Sequence, residues 1–216
     1  MAAPHSILSV ESADLPTIAE FLYSSKLKLT INRLLFKDWP NEVAQRQQYA
    51  QAVEGAFNDA KTESLKVVDV ASGEIVGYLA LTQKHPVIPK EPTNDDEKKE
   101  QSVPEAFNPD VLNAVRQAMA EITKGVATID HYEVTYIYVR PSYRRLGIGA
   151  QLVQKAFDKA RGAGVPLTVA AEPAAYDFFV KLGFKDTKYV DFDLSKWAPP
   201  HSGFGVFRLA GMVWSL

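Results

Sequence analysis

Val134-Thr-Tyr-Ile-Tyr-Val139, running directly into Arg140-Pro-Ser-Tyr-Arg144-Arg-Leu-Gly147-Ile-Gly149-Ala150, is the most informative segment of the chain. It reads as a buried strand, a short turn, and a glycine-containing loop that opens into a helix. Such a junction leaves the first backbone N–H groups of the helix without intrahelical acceptors. With the helix dipole, these groups form a site for phosphate oxygens. Gly147 and Gly149 carry no Cβ, so an anion can approach the main chain closely. Arg144 and Arg145 add positive charge at the rim, and Arg140 stands nearby. A phosphate-bearing ligand is expected here.

The spacing separates this loop from other phosphate loops. A dinucleotide fingerprint needs a third glycine where Leu152 stands, and an early βαβ unit, whereas this loop lies two-thirds of the way along the chain. A P-loop requires Gly-Lys-Ser/Thr, which is missing from the sequence. The pattern present is Arg-x-x-Gly-x-Gly between a strand and an amphipathic helix. It resembles the signature of the GNAT family of N-acetyltransferases. Ala13-Asp-Leu-Pro-Thr-Ile-Ala-Glu20 is similar to that family's opening helix, and Gly73-Glu-Ile-Val-Gly-Tyr-Leu-Ala80 to its hairpin strand. Pro166–Ala171 and the helix ending in Lys181-Leu-Gly-Phe184 complete the resemblance in the same order, from about residue 8 to residue 190.

Composition sets the bounds. The 216 residues are 46% apolar, enough for one sizeable core. A net charge of -2 argues against nucleic acid or a membrane surface as an electrostatic partner. No apolar run approaches the roughly 18 residues of a membrane span. The start, Met1-Ala-Ala-Pro-His5, lacks a basic and apolar leader. A cytoplasmic location is therefore expected. The absence of cysteine rules out disulfides, thiolate metal sites and an acyl group carried on a cysteine. His5, His85, His131 and His201 form no pair at metal-binding spacing, and there is no Gly-x-Ser-x-Gly elbow. No metal is expected.

Along the chain, Ser6–Val10 reads as a first strand and Asp14 as the cap of a helix. Residues 26–60 are helical in character, broken at Trp39-Pro-Asn41, because proline lacks an N–H and disfavours helix before it. Lys66–Val70 and Ile75–Gln83 read as a hairpin. Residues 84–108, proline-rich and carrying the charge run Asp95–Glu100, are expected to form an inserted surface loop. A helix capped by Asn108 comes next, with Leu112, Val115, Met119 and Ile122 on one face. Ile148, Leu152, Ala156 and Ala160, with Val153 and Phe157, mark a helix that packs on a sheet, closed by Gly162 and Gly164. Strands near Tyr189–Leu194 and Val206–Val213 end the chain. The second, as an edge strand, offers pairing in a homodimer. The expected fold is one α/β domain over residues 1–216, a mixed, mostly antiparallel sheet flanked by helices, GNAT-like.

The resemblance implies acetyl-CoA as acyl donor, an amine of a small molecule or peptide as acceptor, and direct transfer in a ternary complex. It places backbone contacts to the pantetheine arm on Ile137, Tyr138 and Val139. Pyrophosphate contacts fall on Arg144, Arg145, Leu146, Gly147, Ile148, Gly149 and Ala150. The strand position where relatives often place a basic glutamate is Thr135. Glu133, two residues earlier, is either a base acting through a water or a solvated carboxylate, and His131 is a further candidate. Phe178 and Phe179 occupy the positions where relatives carry an acid tyrosine, which leaves Tyr176, one turn earlier, as acid or as a core aromatic. Glu172 replaces the asparagine common at the start of that helix. Phe36, Trp39, Trp197 and Phe204 are expected to wall the acceptor site. A coenzyme A-binding module without turnover is the alternative reading.

Overall fold

A computed structural model of the protein describes residues 5–86 and 103–215. Most of the expected 84–108 loop lies outside the described residues. The described strands are β1 (His5–Ser9), β2 (Thr62–Asp69), β3 (Ile75–Lys84), β4 (His131–Val139), β5 (Leu167–Ala171), β6 (Lys185–Asp193) and β7 (Val206–Trp214). The helices are α1 (Leu15–Lys26), α2 (Asn32–Leu35), α3 (Glu42–Asn58), α4 (Pro109–Thr123), α5 (Ile148–Ala163) and α6 (Pro173–Lys181). The strands form one sheet in the order β1-β2-β3-β4-β5-β7-β6, antiparallel throughout except for β4 and β5. This is the mixed, mostly antiparallel α/β architecture the sequence leads one to expect.

Helices cover both faces. On one, α5 buries Ile148, Leu152, Val153, Ala156 and Ala160 against the sheet, and α6 adds Phe179. On the other, α1 and α3 pack Ile18, Phe21, Leu22 and Val53 around Tyr78 and Tyr138. There too, α4 sets Val111, Ala118 and Ile122 against Phe207 and Leu209 of β7. The buried stripe of α4 thus begins at Val111; Leu112 packs towards the α1–α3 cluster instead. Gly211 lets α4 approach this closely, since a Cβ there would lie 2.8 Å from Ile122 Cβ.

Local chemistry sets the turns. Asp69 Oδ1 accepts from the N–H of Ala71 at 2.8 Å and of Ser72 at 3.1 Å, and Gly73 takes φ +73 between β2 and β3. Asn108 caps α4 by accepting from Asp110 N at 3.1 Å. Asp14, expected as a helix cap, instead accepts from Glu11 N at 2.7 Å and holds Lys66 Nζ at 2.6 Å. The Val206–Val213 strand, expected at an edge, is flanked by β5 and β6; the edge on that side is β6. Among the described residues, no helix is long and apolar enough to cross a membrane.

Two irregularities in β4 open the sheet. Ala80 faces Tyr136 and Leu81 faces Val134, so Thr135 is an extra residue, a β-bulge. Beyond it, β4 and β5 part. Their parallel pairing comprises Tyr132 with Leu167, Glu133 with Thr168 and Val134 with Val169. From Tyr136 to Val139, β4 keeps β3 on one side and leaves the other edge open. The sheet therefore contains a wedge, whose wide end lies beside the start of α5.

Candidate active site

The wedge and the loop after β4 form one continuous surface. Arg140 N donates to Val76 O at 2.9 Å, and Arg144 Nε donates to Val139 O at 3.1 Å, which ties the loop to the end of β4. Arg145, with φ +62, and Gly147, with φ +81, both take the left-handed conformation. That conformation costs an L-residue about 1–2 kcal/mol, so Gly147 suits its position and Arg145 holds a strained one. The first α5 amide to reach a carbonyl is that of Gln151, donating to Gly147 O at 3.0 Å. The amides of Ile148, Gly149 and Ala150 precede it in the first turn, and Leu146 and Gly147 lead into it. A Cβ at Gly147 would meet only Gln151 Nε2, at 3.8 Å, so the space above this turn is open. An open turn with free donors and two flanking arginines fits a diphosphate.

Gly149 is different. A Cβ there would lie 3.2 Å from Phe178 Cζ and 3.8 Å from Val139 Cγ2. Its side-chain direction faces α6, so this glycine serves close packing of α5 on α6. Phe178 and Phe179 form an edge-on pair at 5.1 Å, which puts apolar rings where the resemblance leads one to expect a hydroxyl.

On the α1–α3 face of the wedge lies a polar group of side chains. Asn32 Nδ2 donates to Tyr49 Oη at 2.9 Å and to Lys26 O at 3.1 Å. Burial holds the Tyr49 hydroxyl well above its usual titration range, so it stays protonated. Burial, and then the charge of Glu133, raise Tyr136 in the same way. Ser24 Oγ and Tyr138 Oη are 3.5 Å apart, and the Phe21 ring stacks on Tyr138 at 4.7 Å. Lys26 Nζ, at the end of α1, forms an ion pair with Glu172, the residue after β5. Thr135 and Thr82 share a hydrogen bond of 2.6 Å.

Glu133 and Tyr176 are not brought together. Glu133 pairs with Lys84 at 3.3 Å and lines a cavity of about 20 Å³ with Thr123, Thr168 and Thr187 on the α4 face. Tyr176 packs with the α5–α6 cluster, on the other face of the sheet. Its hydroxyl donates to Asp186 Oδ2 at 2.7 Å, and that hydrogen bond, more than any other cause, raises its pKa. His131 is buried, with Nδ1 2.9 Å from Ile129 O. The expected aromatic wall divides: Phe36 and Trp39 belong to the α1–α3 core, Phe36 lying 4.6 Å from Phe107, while Trp197 and Phe204 pack with the α4 cluster. Four rings spread over two cores do not line one site.

The acetyltransferase (GNAT) family model matches residues 29–184, most of the chain and all of the wedge. The chain belongs to the GNAT acetyltransferase family. Solved structures similar to this GNAT protein include arylalkylamine N-acetyltransferase 2 from Aedes aegypti, 13% identical, with 98% of each chain covered and a TM-score of 0.66. A mosquito arylalkylamine N-acetyltransferase like 5b is 14% identical, with 99% of this chain and 100% of that one covered and a TM-score of 0.65. Arabidopsis thaliana NAA60, solved in complex with a bisubstrate analogue, is 12% identical, with 98% and 97% covered and a TM-score of 0.56. At such identities the likeness concerns the fold. The comparison with curated proteins found no match. The family uses acetyl-CoA, and the open turn of this GNAT protein fits its diphosphate.

The sequence places the strand–turn–helix junction at these residues. It also marks the helix break over residues 26–40 as an acceptor region and Glu172 as a departure from the asparagine of relatives. It assigns no individual role to Asn32, Tyr49 or Tyr136 and does not reveal that Lys26 meets Glu172.

Proposed function

We propose that the protein is an N-acetyltransferase, one domain over its length, which moves acetyl from acetyl-CoA directly to a primary amine. The observation that supports this is the wedge between β4 and β5, opening beside the free amides of Leu146–Ala150. The open edge of β4, at Ile137, Tyr138 and Val139, offers main-chain groups to an extended pantetheine arm, in the manner of an added strand. A backbone donor on that edge is also suited to polarise a carbonyl. Arg144, Arg145 and the amides through Ala150 hold the diphosphate. The bound donor supplies a thioester carbon that a neutral amine attacks as the C–S bond breaks.

The amine must first lose a proton. Glu133 is the group we assign to receive it, through a water. The neighbouring cavity is large enough for one water, and three threonines supply hydrogen-bonding partners. Tyr176, turned to Asp186 across the sheet, is left out of this scheme; the thiolate then departs without a side-chain acid. With no cysteine in the chain, no acyl-enzyme on sulfur forms. The engaged Tyr176 and the two phenylalanines also favour a second reading, a coenzyme A-binding module without turnover.

Two measurements separate these readings. Calorimetry with coenzyme A tests the loop, and release of free thiol from acetyl-CoA in the presence of amines tests transfer. Heat with no thiol release supports the second reading; no heat at millimolar coenzyme A removes both.

A further inference from the structure

On the α1–α3 face, the two lips of the wedge are linked by one ion pair among the described residues, Lys26 with Glu172. Lys26 ends α1, whose Phe21 is stacked on Tyr138 of the open β4 edge. Glu172 follows Ala171, the last residue of β5, and stands at the N-cap position of α6 without a side-chain capping bond. Along β5, Thr168 and Ala170 face α4, while Leu167, Val169 and Ala171 face α5. By this alternation Glu172 points to the α1–α3 side, where it meets Lys26. An acceptor that enters the wedge from this face passes the pair.

We propose that this ion pair is the acceptor's recognition site, and that the acceptor is an amino acid-like zwitterion. Its ammonium group goes to Glu172 and its carboxylate to Lys26. The inference rests on the transfer activity proposed above and specifies its acceptor. The reasoning is one of charge conservation. The side chains of Lys26 and Glu172 are 25% and 30% exposed, so each is substantially removed from water. A cation alone would satisfy Glu172 and strand Lys26; an anion alone would do the reverse. A molecule with both charges replaces both partners, and neither side chain loses its counter-charge. The surroundings are prepared for this exchange. The carbonyl of Lys26 is held by Asn32 Nδ2 at 3.1 Å, and the same amide donates to the buried Tyr49 Oη at 2.9 Å. The end of α1 is therefore anchored through its main chain, independently of the Lys26 side chain. Tyr49, kept protonated by burial, lies within reach of the charge of Glu172, which is the charge an incoming ammonium meets there. Glu172 holds the amine first as an ammonium; its proton then passes through water to Glu133, which pairs with Thr168 four positions back along β5, and the neutral amine attacks the thioester carbon as the thiolate leaves.

The test is thiol release from acetyl-CoA with matched pairs of acceptors, each an amino acid and its decarboxylated amine, such as phenylalanine and phenethylamine. The full chain is used, and calorimetry with coenzyme A confirms that each variant still binds donor. The wild-type protein should prefer the amino acid in kcat/KM by about tenfold or more, as expected for a charge-assisted contact. Lys26→Met should remove that preference, weakening the amino acid through KM and strengthening the decarboxylated amine, which then finds Glu172 unpaired and strands no lysine. Lys26→Arg should restore it in part. Glu172→Gln should weaken both classes. If decarboxylated amines are the better acceptors, or Lys26→Met lowers both classes equally, transfer stands and this inference falls. If neither class releases thiol although coenzyme A binds, the transfer reading fails and takes the inference with it.

Discussion

Replacing Gly147 and Gly149 by alanine, one at a time, tests the most specific claim about the loop. Gly147 sits at φ +81 and a new Cβ would have open space around it, so its cost is conformational. The left-handed penalty for an L-residue is about 1–2 kcal/mol. In a chain of this size, that lowers the melting temperature by roughly 2–8 °C if the loop keeps its shape. If the loop relaxes to avoid the strain, the amides turn away and coenzyme A affinity drops instead. Gly149 lies in the first turn of α5, and its Cβ would press on Phe178 at 3.2 Å. Alanine there gains up to about 1 kcal/mol of helix propensity, which offsets much of a ring displacement of a few tenths of an ångström. Its direction is towards α6, so coenzyme A affinity should change less than about threefold, well under the tenfold that 1.4 kcal/mol represents. Thermal melting and calorimetry with coenzyme A read both quantities. The reasoning is refuted if Gly147→Ala melts and binds like the wild type, or if Gly149→Ala is the more damaging for coenzyme A.

Gly211→Ala should be severe, because its Cβ would lie 2.9 Å from the Ile122 carbonyl oxygen, a backbone atom that cannot step aside; urea unfolding should show a loss of about 1–3 kcal/mol or more. Burial pushes the Tyr78 hydroxyl up from 10.0 to about 12. Because the folded state favours its protonated form, Tyr78 contributes stability that is complete below pH 10 and lost as pH rises towards 12. Tyr78→Phe should flatten that alkaline decline in melting temperature. Glu133→Gln should lower kcat by a factor of roughly 10²–10⁴ with little change in coenzyme A affinity. Tyr176→Phe should leave kcat within about twofold, a negligible change beside the roughly 10²–10⁴ of a general acid; a larger loss would return that hydroxyl to the chemistry.

How much of the molecule was legible in its sequence depended on the range of the interactions. The α5 core stripe, the Asn108 cap and the Gly147 turn are set within a few residues, and short-range periodicity and φ preference expose them. The bulge at Thr135 leaves no trace in composition, because Thr135 suits a strand whether paired or extra. β7 looked like an edge strand because it lies near the chain end, yet β6 folds outside it; strand order is a long-range property. The Lys26–Glu172 pair spans 146 positions, and the aromatic wall failed for the same reason. Phe36 and Trp197 are both large apolar residues near loops, and only the packing of α1, α3 and α4 assigns them to different cores.

The sheet has a further property that derives from its three β4–β5 rungs. It is two leaves, β1–β4 and β5–β7, joined by a short seam at Tyr132–Val134. Whatever lies in the gap beyond the seam bridges leaves that the main chain itself leaves apart. Slow-exchanging amides should therefore spread outward from Val134 when the donor binds, knitting the two halves into one continuous hydrogen-bonded body.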